Sequence, residues 1–237
     1  MARRFTDYSS PPATLDHHIF YGLTLDEGQK KLRDAIWDEG KRIVFCNAKA
    51  GTGKTTIAIA TAVMMVRYGL YDDIVYVVHS VGDAQGFLPG TISEKSSVLF
   101  EPLYQALITA NEDPMRCINT ESLALQKSGE SFVTAITDTY LRGGNIGPWK
   151  RTICILDETQ NMPENILRKV GTRACENTKV ICLGHDLQCD LHDPAMSGFT
   201  KCMRHFEAKK DPRFAFCTLA ENHRGYISGV FDESWIE

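Results

Sequence analysis

Residues 42–55 read Arg42-Ile43-Val44-Phe45-Cys46-Asn47 and then Ala48-Lys49-Ala50-Gly51-Thr52-Gly53-Lys54-Thr55. The first part is a strand pattern, and the lysine–threonine pair opens a run of helix-forming residues. Gly51 and Gly53 permit backbone conformations in which N–H groups turn toward an anion, which a Cβ would obstruct. The strand, the loop and the helix together predict a cradle for the phosphates of a nucleotide.

The residues around this loop add a charge and a metal-binding group. Lys54 can reach the β- and γ-phosphates of ATP, and the Thr55 hydroxyl can bind Mg²⁺. The N-terminus of the following helix adds a partial positive charge. Ala48 stands where the pattern usually has glycine, and alanine is compatible wherever φ stays negative. The predicted nucleotide-binding residues are Ala48, Lys49, Ala50, Gly51, Thr52, Gly53, Lys54, Thr55 and Thr56.

A second motif lies at the end of the apolar run over residues 152–156, where Asp157 and Glu158 follow directly. Ligands bind beyond the carboxyl ends of parallel strands, so carboxylates at this point are expected near the phosphates. We expect Asp157 to hold Mg²⁺ through water, because Mg²⁺ dehydrates reluctantly. Glu158 would orient or deprotonate the attacking water. An ordinary solvated strand end is the alternative, and the phosphate loop favours the catalytic interpretation.

Composition limits the class of protein. The chain has 237 residues and a net charge of −4, which suits one α/β domain and restricts any nucleic-acid surface to a local patch. Its eight cysteines include no C-x-x-C pair, which indicates free thiols in a reducing cytosol. The first residues lack the apolar core of a signal peptide, and the apolar stretch over residues 57–66 is too short to span a membrane. We therefore expect a cytoplasmic protein without membrane contact.

Strand and helix patterns alternate along the chain. The predicted strands are residues 42–47, 74–78, 115–119, 152–156, 179–183 and 213–218. The predicted helices are residues 29–37, 55–68, 98–110, 163–173 and 197–205. The strand runs are continuously apolar, which is typical of strands covered on both faces. The pattern predicts an α/β fold with a doubly wound parallel sheet, as one domain over residues 21–237 after a flexible lead-in over residues 1–20.

Several further motifs occur in a recognisable order. They are Gly86-Phe87-Leu88-Pro89-Gly90, Glu94-Lys95, Pro102-Leu103-Tyr104, Tyr140-Leu141-Arg142-Gly143, Leu156-Asp157-Glu158-Thr159-Gln160-Asn161, Gln188 with Asp190-Leu191, and Ser197-Gly198. Together they resemble the PhoH-like protein family. That family is similar to the first RecA-like domain of superfamily 1 helicases. The resemblance implies a RecA-like P-loop NTPase domain that hydrolyses ATP and acts on RNA or single-stranded DNA.

Two stretches depart from the pattern of that family. Val78-His79-Ser80 stands where the family usually has Thr-Arg-Pro, so an arginine that could contact phosphate or a neighbouring subunit is missing. Gly184-His185-Asp186-Leu187-Gln188 stands where the family usually has Gly-Asp-x-x-Gln, with histidine in place of the acid. Gln188 is retained and is predicted to sense the γ-phosphate. The displaced acid weakens the expectation that hydrolysis drives motion.

Two more side chains are candidates for contact with the nucleotide. Gln29 lies at a distance from the phosphate loop that suits the adenine-reading glutamine of helicases, and an exposed glutamine at a helix start is the alternative. Arg224 follows the last predicted strand and resembles the late arginine of the family. It could act as an arginine finger on ATP, and a surface salt bridge is the alternative.

Basic residues mark candidate contacts with a phosphodiester backbone. The alternative for each is a solvated charged face, and they lack the interleaved aromatic residues of sequence-tolerant single-strand binders. The predicted nucleic-acid residues are Arg142, Lys201, Arg204, Lys209 and Lys210.

Two main functions remain open from the sequence. The first is Mg²⁺-dependent ATP hydrolysis coupled to binding or remodelling of RNA or single-stranded DNA. A monomeric helicase closes two RecA-like domains on ATP and this chain has one, so this function calls for a homo-oligomer, for example a ring, with Arg224 acting in trans. The second is a slow ATP-gated switch that recruits a protein partner without motor activity. A kinase is a third function, although the acid pair with Gln160 favours water as the nucleophile.

Overall fold

A computed structural model describes residues 8–16, 18–79, 99–119, 131–141 and 144–233. In this part of the chain seven strands form one sheet in which all neighbouring pairs are parallel. The strands are β1 (Ile43–Ala48), β2 (Asp73–Val78), β3 (Ile118–Asn119), β4 (Val133–Thr137), β5 (Thr152–Asp157), β6 (Thr178–Gly184) and β7 (Phe214–Leu219). Their order across the sheet is β3-β4-β2-β5-β6-β1-β7.

Helices connect most of these strands. They are α1 (Glu27–Trp37), α2 (Lys54–Arg67), α3 (Glu101–Thr109), α4 (Pro114–Cys117), α5 (Glu164–Gly171), α6 (Gly198–Lys209) and α7 (Tyr226–Glu233). A short 3₁₀ helix, Thr159–Asn161, follows β5. In the part of the chain that the structure describes, no helix combines the length and the apolar character needed to cross a bilayer.

The sheet is covered on both faces. Val44 and Cys46 of β1 belong to the cluster that contains α1, α2 and α3, whereas Phe45 between them packs with α5 and α6. Every residue of β2, β5 and β6 is buried. Strands with two buried faces read as continuous apolar runs, because successive side chains enter different layers that are both apolar. The predicted doubly wound parallel α/β fold is therefore confirmed.

The strand order brings three loops to one place. The chain leaves β1 through α2 and passes over β6 and β5 before it enters β2, so β6 lies between β1 and β5. Asn47 is level with Gly184, and Leu156 is level with Cys182. The loops after β1, β5 and β6 therefore meet at the carboxyl edge of the sheet, where ligands bind in open α/β folds.

The prediction of a strand over residues 115–119 is wrong for its first three residues. Residues 114–117 form α4, because the Asp113 side chain accepts a hydrogen bond from the backbone N–H of Met115 and Pro114 suits the first turn of a helix. The strand β3 contains only Ile118 and Asn119. The cap at Asp113 therefore stabilises a helical turn where the apolar run over residues 115–119 predicted a strand.

Besides α4 and the short 3₁₀ helices, two elements were not predicted. The first is β4, whose alternation of threonine with small and apolar residues lacks the continuous run that marked the other strands. The second is α7, a short helix that exposes Tyr226 and Ile227 and so has no buried apolar stripe of the usual kind. The predicted family motifs over residues 86–90 and 94–95 lie outside the described residues.

The end of the predicted lead-in is packed against the domain. Leu15 and Phe20 are fully buried in the cluster with α1 and α2. The indole N–H of Trp37 donates to the carbonyl of Pro12 at 3.2 Å. Burial of these two large apolar side chains holds the segment against the domain, so the expected flexibility of the lead-in does not apply to Leu15 and Phe20. The boundary at residue 20 stays a prediction.

Candidate nucleotide site

The loop between β1 and α2 has a preformed shape. Gly51 and Gly53 have φ angles of +79° and +80°, in the left-handed region that glycine adopts without strain. Thr52 is buried, and its hydroxyl donates to the carbonyl of Lys49 at 2.9 Å. Because α2 begins at Lys54, its free N–H groups and its dipole point into the loop, as in an anion site. The other predicted loop residues lie at the end of β1, in the loop and in the first turn of α2: Ala48, Ala50 and Thr56.

Asp157 ends β5 and is only 1% exposed. Its Oδ2 accepts hydrogen bonds from the Thr55 hydroxyl at 2.8 Å and the Tyr76 hydroxyl at 2.7 Å, and its Oδ1 accepts from the backbone N–H of Glu158. Burial raises the pKa of Asp157 and the charge of Glu158 raises it further, while Lys54 and the two hydroxyls oppose the shift. Lys54 and the two hydroxyl groups therefore do not fully offset the cost of burying the negative charge of Asp157, and a cation beside this carboxylate would be favourable.

Glu158 holds the lysine of the phosphate loop. Lys54 Nζ lies 3.0 Å from Glu158 Oε1, and Glu158 Oε2 accepts a hydrogen bond from the Gln160 amide at 2.5 Å. Burial opposes the charge of Lys54, yet Glu158 and then Asp157 hold its pKa above the ordinary value. Glu158 has a φ of +50°, a left-handed conformation that costs a non-glycine residue roughly 1–2 kcal/mol. Such strain is characteristic of functional positions.

The donor groups fit a magnesium-bound nucleotide. The Thr55 hydroxyl and the Asp157 carboxylate lie 2.8 Å apart at the end of the loop. Carboxylate and hydroxyl oxygens are hard ligands of the kind that Mg²⁺ prefers. The left-handed glycines and Lys54 supply the N–H groups and the positive charge that phosphates require. The residues present therefore suit both Mg²⁺ and the phosphates.

Gln29 lies beneath the phosphate loop. It is 6% exposed, and its amide nitrogen donates to the carbonyl of Thr52 at 2.8 Å. Its amide oxygen accepts from the backbone N–H of Asp26, in a capping box at the start of α1. Both ends of the amide are bonded within the chain, which is the geometry of a residue that supports the loop. Contact between Gln29 and adenine stays a prediction.

Arg224 lies against the phosphate loop of its own chain. A Cβ added at Gly51 would stand 3.1 Å from Arg224 Cγ and Cδ and 2.9 Å from Asn222 Oδ1. The backbone N–H of His223 donates to the carbonyl of Gly51 at 2.9 Å. Arg224 is exposed, so its guanidinium can reach a ligand. This placement favours a nucleotide bound to the same chain, and the action of Arg224 in trans stays a prediction.

Gln188 and the predicted basic residues that the structure describes take no part in the contacts given above. Gln188 is exposed on the loop after β6, and its role as a γ-phosphate sensor stays a prediction. Lys201 is in the first turn of α6, where it pairs with a glutamate of α5 at 3.1 Å. Lys209 and Lys210 are at the other end of α6, roughly 12 Å away along the axis at 1.5 Å per residue. Arg204 is exposed between them, so these side chains are spread along one helix. Arg142 lies outside the described residues.

A match to a protein-family model shows the family of this chain. A family model described as PhoH-like protein matches residues 24–230. The chain belongs to the PhoH-like family. It is similar to Protein PhoH of Escherichia coli (strain K12), with 31% identity over 189 residues that cover 78% of this chain and 50% of that protein. It is also similar to the PhoH-like protein of Mycobacterium leprae (strain TN), with 34% identity over 190 residues that cover 78% and 51%.

A longer match is to the PhoH-like protein of Mycobacterium tuberculosis (strain ATCC 25618 / H37Rv), with 32% identity over 208 residues. This match covers 86% of this chain and 55% of that protein. The PhoH-like chain thus spans about half the length of the curated relatives that it matches.

Solved structures with the same fold include large terminases of bacteriophages. The large terminase from a thermophilic bacteriophage, solved in complex with ADP, has a TM-score of 0.53 and 12% identity, over 89% of this chain and 49% of that chain. The HK97 bacteriophage large terminase has a TM-score of 0.50 and 16% identity, over 84% and 40%. At such identities the likeness shows the fold alone. The PhoH-like chain has the RecA-like P-loop NTPase fold that the resemblance implied.

Two residues of this PhoH-like site were not among the predicted site residues. Tyr76 is the one aromatic residue in the aliphatic β2 run, and a buried tyrosine usually needs a hydrogen-bond partner. That rule could have marked Tyr76, although only the sheet shows that its partner is Asp157. Gln160 stands in the family motif directly after the acid pair, and only the structure shows its direct bond to Glu158.

Proposed function

We propose that this chain binds ATP with Mg²⁺ and hydrolyses it. The observation that carries the proposal is the pairing of the loop residues Lys54 and Thr55 with the strand-end acids Glu158 and Asp157. The chain thus combines a phosphate cradle, a carboxylate suited to a metal and a second carboxylate suited to water in one place. A P-loop protein that only binds a nucleotide has no need of the second carboxylate.

Each of these residues has a distinct part in the proposed reaction. Lys54 would leave Glu158 and bind the β- and γ-phosphates. Thr55 and Asp157 would hold Mg²⁺, which would neutralise charge on the phosphates. Glu158 then orients the attacking water and accepts its proton. Gln188 and Arg224 are proposed to sense and stabilise the γ-phosphate. The pair of Lys54 and Glu158 closes the site, and a bound nucleotide must open it for Lys54 to reach the phosphates.

We further propose that hydrolysis is coupled to RNA or single-stranded DNA, in a helicase-like cycle that a homo-oligomer performs. Membership of the PhoH-like family supports this extension. Lys201 and Arg204, in the first two turns of α6, are among the proposed contacts. A cytoplasmic location is also proposed, since all eight cysteines are free thiols, which suits a reducing compartment.

The test is steady-state ATP hydrolysis with and without Mg²⁺, single-stranded RNA and single-stranded DNA. Lys54→Ala should abolish nucleotide binding, whereas Glu158→Gln should retain it and lose turnover by about a hundredfold or more. Glu207→Gln, at an exposed position on α6, is a matched control that should behave as the wild type. A wild-type protein that neither binds nor hydrolyses ATP would refute the proposal.

The second candidate is the slow ATP-gated switch. The observation that favours it is the closed pair of Lys54 and Glu158, since a nucleotide must break this bond before it binds fully. Tight ATP binding with slow turnover that neither RNA nor DNA stimulates would support the switch. Strong stimulation that Glu158→Gln abolishes would support the coupled hydrolase.

A further inference from the structure

The two oxygens of Glu158 are held by two side chains of different kinds. Oε1 faces Lys54 at 3.0 Å, and Oε2 accepts the amide hydrogen of Gln160 at 2.5 Å. Lys54 belongs to the phosphate loop and must turn to a phosphate when a nucleotide binds. Gln160 belongs to the same loop as Glu158 and is buried. After a nucleotide takes Lys54, the bond to Gln160 is the side-chain contact that remains on Glu158 among those the structure describes.

The other end of Gln160 is attached to the loop after β6. Its Oε1 accepts a hydrogen bond from the backbone N–H of His185 at 3.1 Å. The approach is close because residue 184 is glycine, where a Cβ would stand 3.1 Å from Gln160 Oε1 and 2.7 Å from Thr159 Oγ1. The backbone carbonyl of Gln160 also accepts from Cys189 Sγ. Gln160 therefore connects Glu158 to the displaced third motif through one amide group.

A second link joins the same two loops without touching Glu158. The Asn161 amide donates to Asp190 Oδ2 at 2.8 Å, and the backbone N–H of Asp190 donates to Asn161 Oδ1 at 2.8 Å. This pair supplies a matched control, because it attaches the loop after β6 to the loop after β5 at a neighbouring position. Loss of this link changes how firmly the loops are joined and leaves the contacts of Glu158 in place.

We propose that Gln160 is a positioning residue that holds Glu158 once Lys54 has turned to the nucleotide, and that it transmits this change to residues 185–190. Gln188, the proposed γ-phosphate sensor, is exposed on the same segment, so the contacts of Gln160 would link Glu158 to the loop that carries Gln188. The inference rests on the proposed hydrolysis of ATP. The Gln160 side chain contacts both loops, since its amide group bonds Glu158 and the backbone of His185.

The test compares two variants of Gln160. Gln160→Met keeps the size and removes both hydrogen bonds, whereas Gln160→Glu keeps an acceptor for His185 and replaces the donor to Glu158 with a like charge. Asp190→Ala is the control. In both Gln160 variants kcat for ATP should fall about tenfold or more with KM changed by less than about threefold, because binding is separate from orientation of the water. Asp190→Ala should keep kcat within about twofold.

Hydrogen exchange gives the readout that a merely structural role would not move. In the wild type, ATP should change the exchange of the amides over residues 185–190. In Gln160→Met this response should be lost while ATP still binds, and Gln160→Glu should retain part of it. The Asp190→Ala protein should exchange faster in this segment without nucleotide and still respond to ATP.

Contrary outcomes separate this inference from the proposed function. If the wild type hydrolyses ATP and Gln160→Met matches it in kcat and in the ATP response of residues 185–190, Gln160 has no positioning role. If Gln160→Met does not fold, the same two measurements on Gln160→Glu decide. A wild-type protein that does not hydrolyse ATP would refute the proposed hydrolase activity. If ATP still changed the hydrogen exchange of residues 185–190 in a way that depends on Gln160, the proposed connection between the nucleotide and this loop would stand without hydrolysis.

Discussion

Gly51 shows how closely single residues define the nucleotide site. Its φ of +79° is left-handed, and a Cβ at this position would meet Asn222 Oδ1 at 2.9 Å. Gly69 has a similar φ of +68° and nothing within 4 Å of such a Cβ. The two glycines therefore separate the cost of the backbone conformation from the cost of the contact with the segment after β7.

We predict that Gly69→Ala lowers the free energy of unfolding by about 1 kcal/mol, which is the cost of the left-handed conformation. Gly51→Ala should lower it further and should weaken ATP binding by at least about tenfold, or ~1.4 kcal/mol, because the loop or Asn222 must shift. Denaturant unfolding and equilibrium binding of ATP measure both effects. Equal losses in the two variants, with ATP affinity unchanged, would show that the contact at Gly51 has no part in binding.

Tyr76 provides a second prediction at this scale. Its hydroxyl donates to Asp157 Oδ2, so Tyr76→Phe removes one of the bonds that orient the proposed metal carboxylate. Loss of such a supporting bond should weaken Mg²⁺ binding by about tenfold. The Mg²⁺ dependence of hydrolysis and the thermal stabilisation by Mg²⁺ with ADP both report it. Tyr104→Phe, at a partly buried position on α3, should leave both unchanged; the same shift in both variants would contradict an orienting role for Tyr76.

Helix α1 acts on the phosphate loop as a whole element. Its capping box joins Asp26 and Gln29, and Gln29 also bonds the carbonyl of Thr52 in the loop. The carboxylate of Asp26 further contacts His223 Nε2 at 2.7 Å, in the segment that packs on Gly51. The start of α1 thus supports the loop from one side, while the segment after β7 supports it from another.

We predict that Gln29→Met lowers stability by about 1 kcal/mol, as expected when a helix cap or hydrogen bond is lost, and weakens ATP and GTP binding by the same factor. A glutamine that supports the loop affects all nucleotides equally, since the phosphates are common to them. A glutamine that reads adenine would instead change the ratio of ATP to GTP affinity. Competition binding with both nucleotides distinguishes these roles, and a changed ratio would favour the adenine contact.

The other end of α1 rests on a buried lysine. Lys179 of β6 is 0% exposed, and its Nζ donates to the carbonyls of Ile36 at 2.5 Å and Asp38 at 2.8 Å. Burial lowers the pKa of Lys179 from its ordinary value of 10.5 to about 8. Between pH 8 and pH 10.5, Lys179 therefore carries a proton in the unfolded chain and is largely deprotonated in the folded chain. Stability from this group therefore rises with pH over that window.

Lys179→Met should remove this dependence. Relative to the variant, the wild type should gain about 1 kcal/mol of unfolding free energy between pH 8 and pH 9, from the linkage between proton binding and folding. The measurement is denaturant unfolding at both pH values, with Lys41→Met at a partly exposed position as the control. The window ends at pH 9 because burial raises the pKa of several thiols, including Cys154, and their ionisation favours unfolding at higher pH. A constant difference between wild type and Lys179→Met would contradict the assignment.

At the scale of the whole molecule, the position of Arg224 bears on how subunits would cooperate. Its side chain lies beside Gly51 of the same chain, so an arginine finger in cis needs no neighbour. We expect a mixture of Lys54→Ala and Arg224→Ala proteins to hydrolyse ATP no faster than the sum of the two. Recovery of activity in the mixture would show action in trans. Light scattering of the mixture, with and without ATP, establishes whether mixed oligomers are present.

The phosphate loop could be predicted from sequence because its chemistry is local. Gly51, Gly53, Lys54 and Thr55 are consecutive or nearly so, and glycine conformation and helix initiation depend on neighbours in the chain. The strand-end acids were equally visible, since a continuous apolar run followed by Asp157 and Glu158 marks the carboxyl edge of a buried strand. The alternation of such runs with helices was sufficient for the fold class.

Only the tertiary structure decided which of these groups touch. Thr55 and Asp157 are 102 positions apart, and they meet because β6 inserts between β1 and β5 and aligns the strand ends. The same alignment turns Gln160 toward Glu158 and His185, places Gln29 beneath the loop, and sets Tyr76 against Asp157. Side-chain period indicates which face a residue occupies, but strand order determines its neighbours across the sheet. That order arises from the packing of all helices and strands together, so no local segment of the sequence contains it.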